Sequence, residues 1–172
     1  MLFRSKFQHA LFISDWSYGV VYAVHMTAEG ASYKGTFEPF ISASPMPVTD
    51  LVIHPTEGCM YMTIGGRKVQ SALYRIRYVG SEKTDPAAYP DNELAAKARA
   101  ERRALEVMHT PGAKLDLPLI LRNIGSQDRA LRSAARLALE QYDSKLWRDP
   151  VQQALPAQAA ITLAIALARK GT

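Results

Sequence analysis

At 172 residues, 48% hydrophobic and 22% charged, the chain has the make-up of a globular protein with room for one ordinary domain or two small ones, and wholesale disorder is excluded. The net charge of +5 is spread out: residues 1–80 carry seven Lys/Arg against five Asp/Glu (+2) and residues 81–172 fourteen against eleven (+3). Neither half has the dense basic stripe of a nucleic-acid binder. The longest apolar run, Ala159 to Ala168, is about ten residues against the roughly twenty needed to span a bilayer, so no membrane span is expected.

The start, Met1-Leu2-Phe3-Arg4-Ser5-Lys6-Phe7, has two early positive charges but no apolar core or small-residue cleavage site after them, so a signal peptide is not expected within these residues. From Ala10 the chemistry is that of short strands rich in Val, Ile, Tyr, Phe and Thr. The expected strands are Ala10–Trp16, Gly19–Met26, Tyr33–Ile41, Val48–His54, Cys59–Ile64 and Ala72–Val79. Glu29-Gly30, Ser44-Pro45-Met46-Pro47, Glu57-Gly58 and Gly65-Gly66 punctuate them as turns. The spacing leaves no room for crossover helices, so the strands are expected to pair antiparallel in a meander. Cys59 is the only cysteine, which leaves no internal disulfide, no Cys-pair zinc site and no CxxCH haem attachment in this sequence.

The strand region repeats itself. Leu11-Phe12-Ile13-Ser14, a turn and Val21-Tyr22-Ala23-Val24 match Met60-Tyr61-Met62-Thr63, a longer turn and Leu73-Tyr74-Arg75-Ile76, at an offset of about fifty residues, a period expected of β-propeller blades. Four strands per blade make the first three strands the second to fourth of one blade and the next three the first to third of another. Residues 1–80 are therefore expected to be about one and a half blades of an incomplete propeller. The alternative is a self-sufficient six-stranded sheet or barrel.

Ser81 to Asp91, with Pro86 and Pro90, reads as a linker. The period then turns helical. Asn92–His109 has Glu93/Lys97 and Lys97/Glu101 at i,i+4 spacing and a narrow apolar stripe of Leu94, Ala98, Leu105 and Met108. Leu117–Ile124 ends at Gly125, Asp128 caps Arg129–Tyr142, and Ser144–Leu155 and Pro156–Lys170 follow. The expected fold class is α+β: propeller blades over 1–80, a linker over 81–91 and an α-helical repeat region over 92–172.

Two resemblances bear on that reading. Asp128, Leu131-Arg132 and Ala134-Ala135 stand where a HEAT repeat has the Asp that begins its second helix, an aliphatic-Arg pair and a double Ala. The alternative there is any amphipathic Ala/Leu helix. The strand region resembles the last blades of glucose/sorbosone dehydrogenase-like propellers, in particular the large exported proteins of planctomycete-type bacteria that join such a propeller to HEAT-like repeats and a c-type haem-binding domain. The likeness is carried by Phe3–Gln8, Ala10–Trp16, Gly30–Lys34, Pro47–Leu51, Tyr61–Arg67 and Leu73–Gly80. It implies a periplasmic or extracellular setting, with a targeting segment ahead of Met1, and a sugar- or alcohol-dehydrogenase-like parent whose remaining blades are this chain's partners. Haem c or a quinone would belong to that parent; no residue here matches a cofactor ligand or a catalytic base. A non-catalytic module for protein or polysaccharide partners is the other reading.

On the blade count, the loops after each second and fourth strand open on one face: Trp16-Ser17-Tyr18, Ser42–Pro47 and Gly65–Gln70. That face is expected to carry Asp15, Trp16, Tyr18, Asp50, Arg67 and Lys68, giving stacking surface, hydroxyl acceptors and cations for a sugar-like or anionic ligand. The structural reading of the same residues has Trp16 packing between blades and Asp15 and Asp50 tying turns to backbone amides. His9, His25, His54 and His109 lack metal-ligand spacing, and structural hydrogen bonding is expected of His25 and His54.

Overall fold

The structure, a computed structural model, describes residues 4–66, 68–88, 92–148 and 155–170. The chain divides into two compact units, one formed by Met1–Thr27 and Lys34–Pro90 and the other by Ala28–Tyr33 and Asp91–Thr172. The protein is mixed α+β, with two three-stranded sheets and, among the described residues, four α-helices.

In the first unit, β1 (Ala10–Asp15), β2 (Val20–Glu29) and β3 (Ser32–Ser42) form one sheet, and β4 (Val48–Ile53), β5 (Cys59–Gly66) and β6 (Val69–Arg77) form the other, each in chain order. The printed pairings β1–β2, β4–β5 and β5–β6 are antiparallel, as expected of strands joined by turns too short for a crossover. Gly19, Gly30 and Gly58 take left-handed backbone angles in the turns. The β5–β6 connection is tighter than the sequence suggests: strand β6 begins at Val69 rather than Ala72, because Gly66 already pairs with Val69 past a bulge after Ile64.

The sequence repeat reappears as a repeat of register. Leu11, Phe12, Ile13 and Ser14 pair with Val24, Ala23, Tyr22 and Val21. Met60, Tyr61, Met62 and Thr63 pair with Ile76, Arg75, Tyr74 and Leu73. Every cross-strand pair of the first hairpin thus has its counterpart in the second. Between the sheets lies a core of Val21, Met46, Val48, Met62 and Ile64, with Phe12, Phe40, Ile41, Leu51, Ala72 and Ile76 packed around it. Side chains alternate across a strand, so the first sheet presents its Phe12/Val21 face to this core and the second its Met62/Ile76 face. These two faces are not the repeat equivalents of one another. The sheets stack front to back.

An N-terminal 3-10 turn, Ser5–Phe7, is held against the first sheet. Phe7 packs edge-on to Phe40 with ring centroids 5.1 Å apart, and the Lys6 ammonium and the His25 Nε2 both lie 2.7 Å from Glu38 Oε1. These two partners hold the Glu38 carboxyl below the usual range. Residues 82–87, read from sequence as part of a linker, are fastened along this turn. Gln8 donates to the carbonyls of Thr84 (3.2 Å) and Asp85 (2.8 Å) and accepts from the Ala87 amide (2.8 Å), and His9 Nε2 lies 2.8 Å from the Ala87 carbonyl.

The second unit contains α1 (Glu93–Val107), α2 (Leu117–Asn123), α3 (Arg129–Leu139) and α4 (Ala157–Lys170). Asn92, Asp116 and Asp128 cap the first three through side-chain oxygens that accept from the first-turn amides. Helix α3 touches the other three. Its Ala134, Ala135 and Ala138 are buried and let Leu105, Ile120, Ile124, Leu139 and Trp147 close into a core with Ala159, Leu163 and Ala166 of α4. The buried side of α1 is Ala95, Arg99 and Leu105, continued by its C-cap Met108; Leu94, expected in that stripe, is 82% exposed. The seam is turned because the buried Arg99 guanidinium stacks 4.9 Å from the Tyr33 ring, which the hairpin tip brings to the helices. The expected helix Ser144–Leu155 opens as a 3-10 turn at Ser144–Leu146, and its residues 149–154 lie outside the described residues. Among the described residues no helix is long and apolar enough to cross a membrane.

The hairpin tip Ala28–Tyr33 belongs to the helical unit. Ala31 is fully buried in the helical core, and its amide donates to Asp128 Oδ2 at 2.6 Å. The other carboxylate oxygen of Asp128 accepts from Ala130 (2.8 Å) and Leu131 (3.3 Å). One carboxylate therefore caps α3 and holds the tip.

Candidate functional site

Three loops converge at one end of the two sheets: 16–19 between β1 and β2, 43–47 between β3 and β4, and the turn between β5 and β6. Together they line a cleft of about 220 Å³ bounded by Trp16, Tyr18, Pro45, Met46, Pro47, Gly66 and Val69. The loops are tied to one another by backbone. The Ala43 amide donates to the Gly19 carbonyl (3.1 Å) and the Gly65 amide to the Pro47 carbonyl (3.0 Å). Gly19 is required where it stands: its φ is +64°, and a Cβ there would lie 2.5 Å from the Ala43 carbonyl oxygen.

Met46 and Pro47 form a buried floor, while Trp16 and Tyr18 are 54% and 80% exposed at the rim. The indole is anchored at one edge, where Nε1 donates to the Gly65 carbonyl at 3.2 Å. Its ring passes so near Gly66 that a Cβ there would lie 3.1 Å from Trp16 Cζ2. The result is an aromatic plate fixed in orientation, with more than half its surface open to solvent.

The sequence-derived residues divide. Trp16 and Tyr18 line the cleft. Asp15 sits behind them and is engaged locally: Oδ1 accepts from the amides of Ser17 and Tyr18, both at 3.0 Å, so it shapes the turn that presents the aromatics. Lys68 is exposed in the β5–β6 turn with φ of 61°, a left-handed conformation unusual for a lysine. Arg67 lies outside the described residues. Asp50 is elsewhere: it accepts from the Leu51 amide at 2.8 Å and borders a separate depression of about 70 Å³ with Val52, Tyr61, Thr63 and Leu73. The floor residues Met46 and Pro47 had no chemical signal of their own in the sequence; only the Pro-Met-Pro turn marked their neighbourhood.

A second polar group lies at the far end of β5. Glu57 accepts from the Tyr61 hydroxyl at 2.9 Å and from the Cys59 thiol at 3.4 Å, and these bonds hold its carboxyl below the usual range. Burial, then the Glu57 contact, pushes the Cys59 thiol up.

Comparison with protein-family models, with characterised proteins and with solved structures returned no match. Chemistry at the cleft therefore has to be judged from its own residues. Among the described residues no group of three or more His, Cys, Asp or Glu side chains is placed to hold a metal ion. Covalent haem attachment does not fit this chain, because it needs a cysteine pair and the single cysteine is buried. The cleft offers aromatic faces, a cation nearby and loop backbone groups.

Proposed function

We propose that the cleft at the loop end of the two sheets binds carbohydrate, and that the two sheets are neighbouring blades of a propeller followed by a HEAT-like helical stack. The observation that carries the reading is Trp16: an indole hydrogen-bonded at its edge and open on its face, beside Tyr18, above a floor of Met46 and Pro47. A sugar ring has an apolar face that stacks on such a plate and hydroxyls that reach surrounding backbone and charged groups. The repeated hairpin register and the front-to-back stacking support the blade assignment. The Asp128 cap and the buried Ala134-Ala135 pair support the HEAT-like one.

The resemblance to glucose/sorbosone dehydrogenase-like proteins extends this to an exported, periplasmic or extracellular parent whose other blades complete the site and whose redox group, haem c or a quinone, lies outside this chain. Because Asp15 is engaged in its turn and Asp50 lies apart from the cleft, the role that falls to Trp16 and Tyr18 at the rim is to hold the sugar, and a non-catalytic polysaccharide-binding module uses the same contacts.

Tryptophan fluorescence tests the proposal, since Trp16 is exposed and the second tryptophan, Trp147, is fully buried in the helical core. Titration with neutral mono- and oligosaccharides is expected to shift the wild-type emission saturably, and in isothermal titration calorimetry, which does not need the indole as reporter, Trp16→Ala is expected to weaken binding at least tenfold, the size of a lost aromatic contact of about 1.5 kcal/mol. Absence of any saturable change at millimolar sugar, or an affinity in Trp16→Ala equal to wild type by calorimetry, would refute it.

A further inference from the structure

The cleft carries its charge on one side. Among the described residues, those that line it are uncharged, from Trp16 and Tyr18 at the rim to Met46 and Pro47 on the floor. In the sequence three charged residues stand within two positions of a lining residue: Asp15, Arg67 and Lys68. Arg67 lies outside the described residues, which leaves one carboxylate and one ammonium to weigh.

Asp15 is turned away from a ligand. Along β1 it shares a face with Leu11 and Ile13, opposite the Phe12 side that packs against the core holding Met46. Its Oδ1 also accepts from the Ser17 and Tyr18 amides, so two N–H dipoles already offset its charge. Lys68 has neither restraint. It is exposed, and among the described residues no carboxylate pairs with its ammonium. Its turn ends at the aromatic plate: Gly66 pairs with Val69 across the loop, both line the cleft, and a Cβ on Gly66 would lie 3.1 Å from Trp16 Cζ2. No more than about 7 Å separates the Lys68 and Gly66 Cα atoms, so the four-carbon stem has the length to meet a ring seated on Trp16.

On local grounds this is the wrong place for a lysine. With φ of 61° at Lys68, a two-residue hairpin loop ordinarily takes Gly or Asn there. A cation held against that preference at the mouth of an uncharged aromatic cleft fits an anionic group on the ligand. The net charge of +5 draws anions toward the molecule in the same sense.

We infer that the cleft selects acidic saccharides: the sugar ring stacks on Trp16, and a carboxylate or sulfate ester on that ring pairs with Lys68. The inference rests on the sugar-binding reading of the cleft and adds the charge of the ligand to it.

Isothermal titration calorimetry with matched ligands tests it: glucose against glucuronate and glucose 6-sulfate, and galactose against galacturonate and galactose 6-sulfate. At low salt at least one acidic form is expected to bind about fivefold more tightly than its neutral parent, the size of one well-placed exposed ion pair. The uronate and sulfate arms show which anion carries that preference. It is expected to vanish at about 1 M salt, where screening acts within about 3 Å. It is also expected to vanish in Lys68→Asn and to persist in Lys68→Arg. Asparagine suits the left-handed turn, and Lys68→Gln replaces it if circular dichroism shows a loss of fold. Equal binding of acidic and neutral sugars by the wild type would overturn the inference and leave the cleft a neutral-sugar site. A preference that survives in Lys68→Asn would overturn it by giving the anion to another cation. No binding of any of the six sugars would remove the sugar-binding reading and this inference together.

Discussion

Lys68 holds a backbone conformation that glycine adopts without cost and a lysine adopts at about 1 kcal/mol or more. Lys68→Gly is accordingly expected to raise the stability of the β unit by about 1 kcal/mol, read as a higher urea midpoint at unchanged slope. An unfavourable residue kept beside a cleft is what a binding role for its ammonium would look like, and weakened sugar binding in the stabilised variant would say so. Asp15 shows the opposite case. In the sequence, an acid beside an indole reads as two ligand-facing groups. In the structure the acid fixes the turn and only the indole faces outward, because a carboxylate followed by two turn amides finds its partners locally before any ligand arrives. Side-chain type was legible in the sequence; the direction in which each side chain spends its hydrogen bonds was not.

Among the elements, hairpins and helix starts were legible because their signals are local. Turn glycines, alternating strands and capping residues such as Asp128 act within a few positions. The exposure of Leu94, the one exposed member of the expected stripe on α1, has a non-local cause: the buried side is set by Tyr33, sixty-six positions from Arg99 and at the start of β3. The neighbouring β2–β3 turn makes the α3 cap residue Asp128 sensitive as well. Asp128→Ala removes a helix cap, costing about 1 kcal/mol, and leaves the buried Ala31 amide without its acceptor, costing about 1–3 kcal/mol more. A loss of about 2–4 kcal/mol is expected in denaturant unfolding of the helical unit, and Asp128→Asn, which keeps an accepting oxygen, is expected to lose less.

At the scale of the whole protein, three glutamates tie stability to acidity. Glu38 is bonded by Lys6 and His25, Glu57 by Tyr61 and Cys59, and Glu101 by Asn123 and Arg122; each carboxyl is held below its usual range. With folded values below unfolded ones, the unfolded chain binds more protons in the interval between them, so the contribution is complete above the unfolded value of about 4.3 and is lost as pH falls through the folded values. Thermal midpoints are expected to be level from neutrality to about pH 5 and to fall below about pH 4.3, with Glu101→Gln flattening the helical part of that fall. The net charge of +5 grows over the same interval and adds self-repulsion in the same direction. The front-to-back stack could be suspected from the fifty-residue repeat but not read from it, since a repeat fixes which residues are equivalent and is silent on which of two faces each copy buries.

The tip Ala28–Tyr33 gives the helical unit a discontinuous sequence. That unit is not a cassette. A gene cut anywhere in the segment before α1 would encode helices whose core lacks Ala31 and whose Arg99 lacks Tyr33, so neither a shuffled copy nor a shortened protein inherits the whole fold. Recombination that carries these helices elsewhere has to carry a hairpin with them, and the β and helical units are expected to be inherited together or not at all.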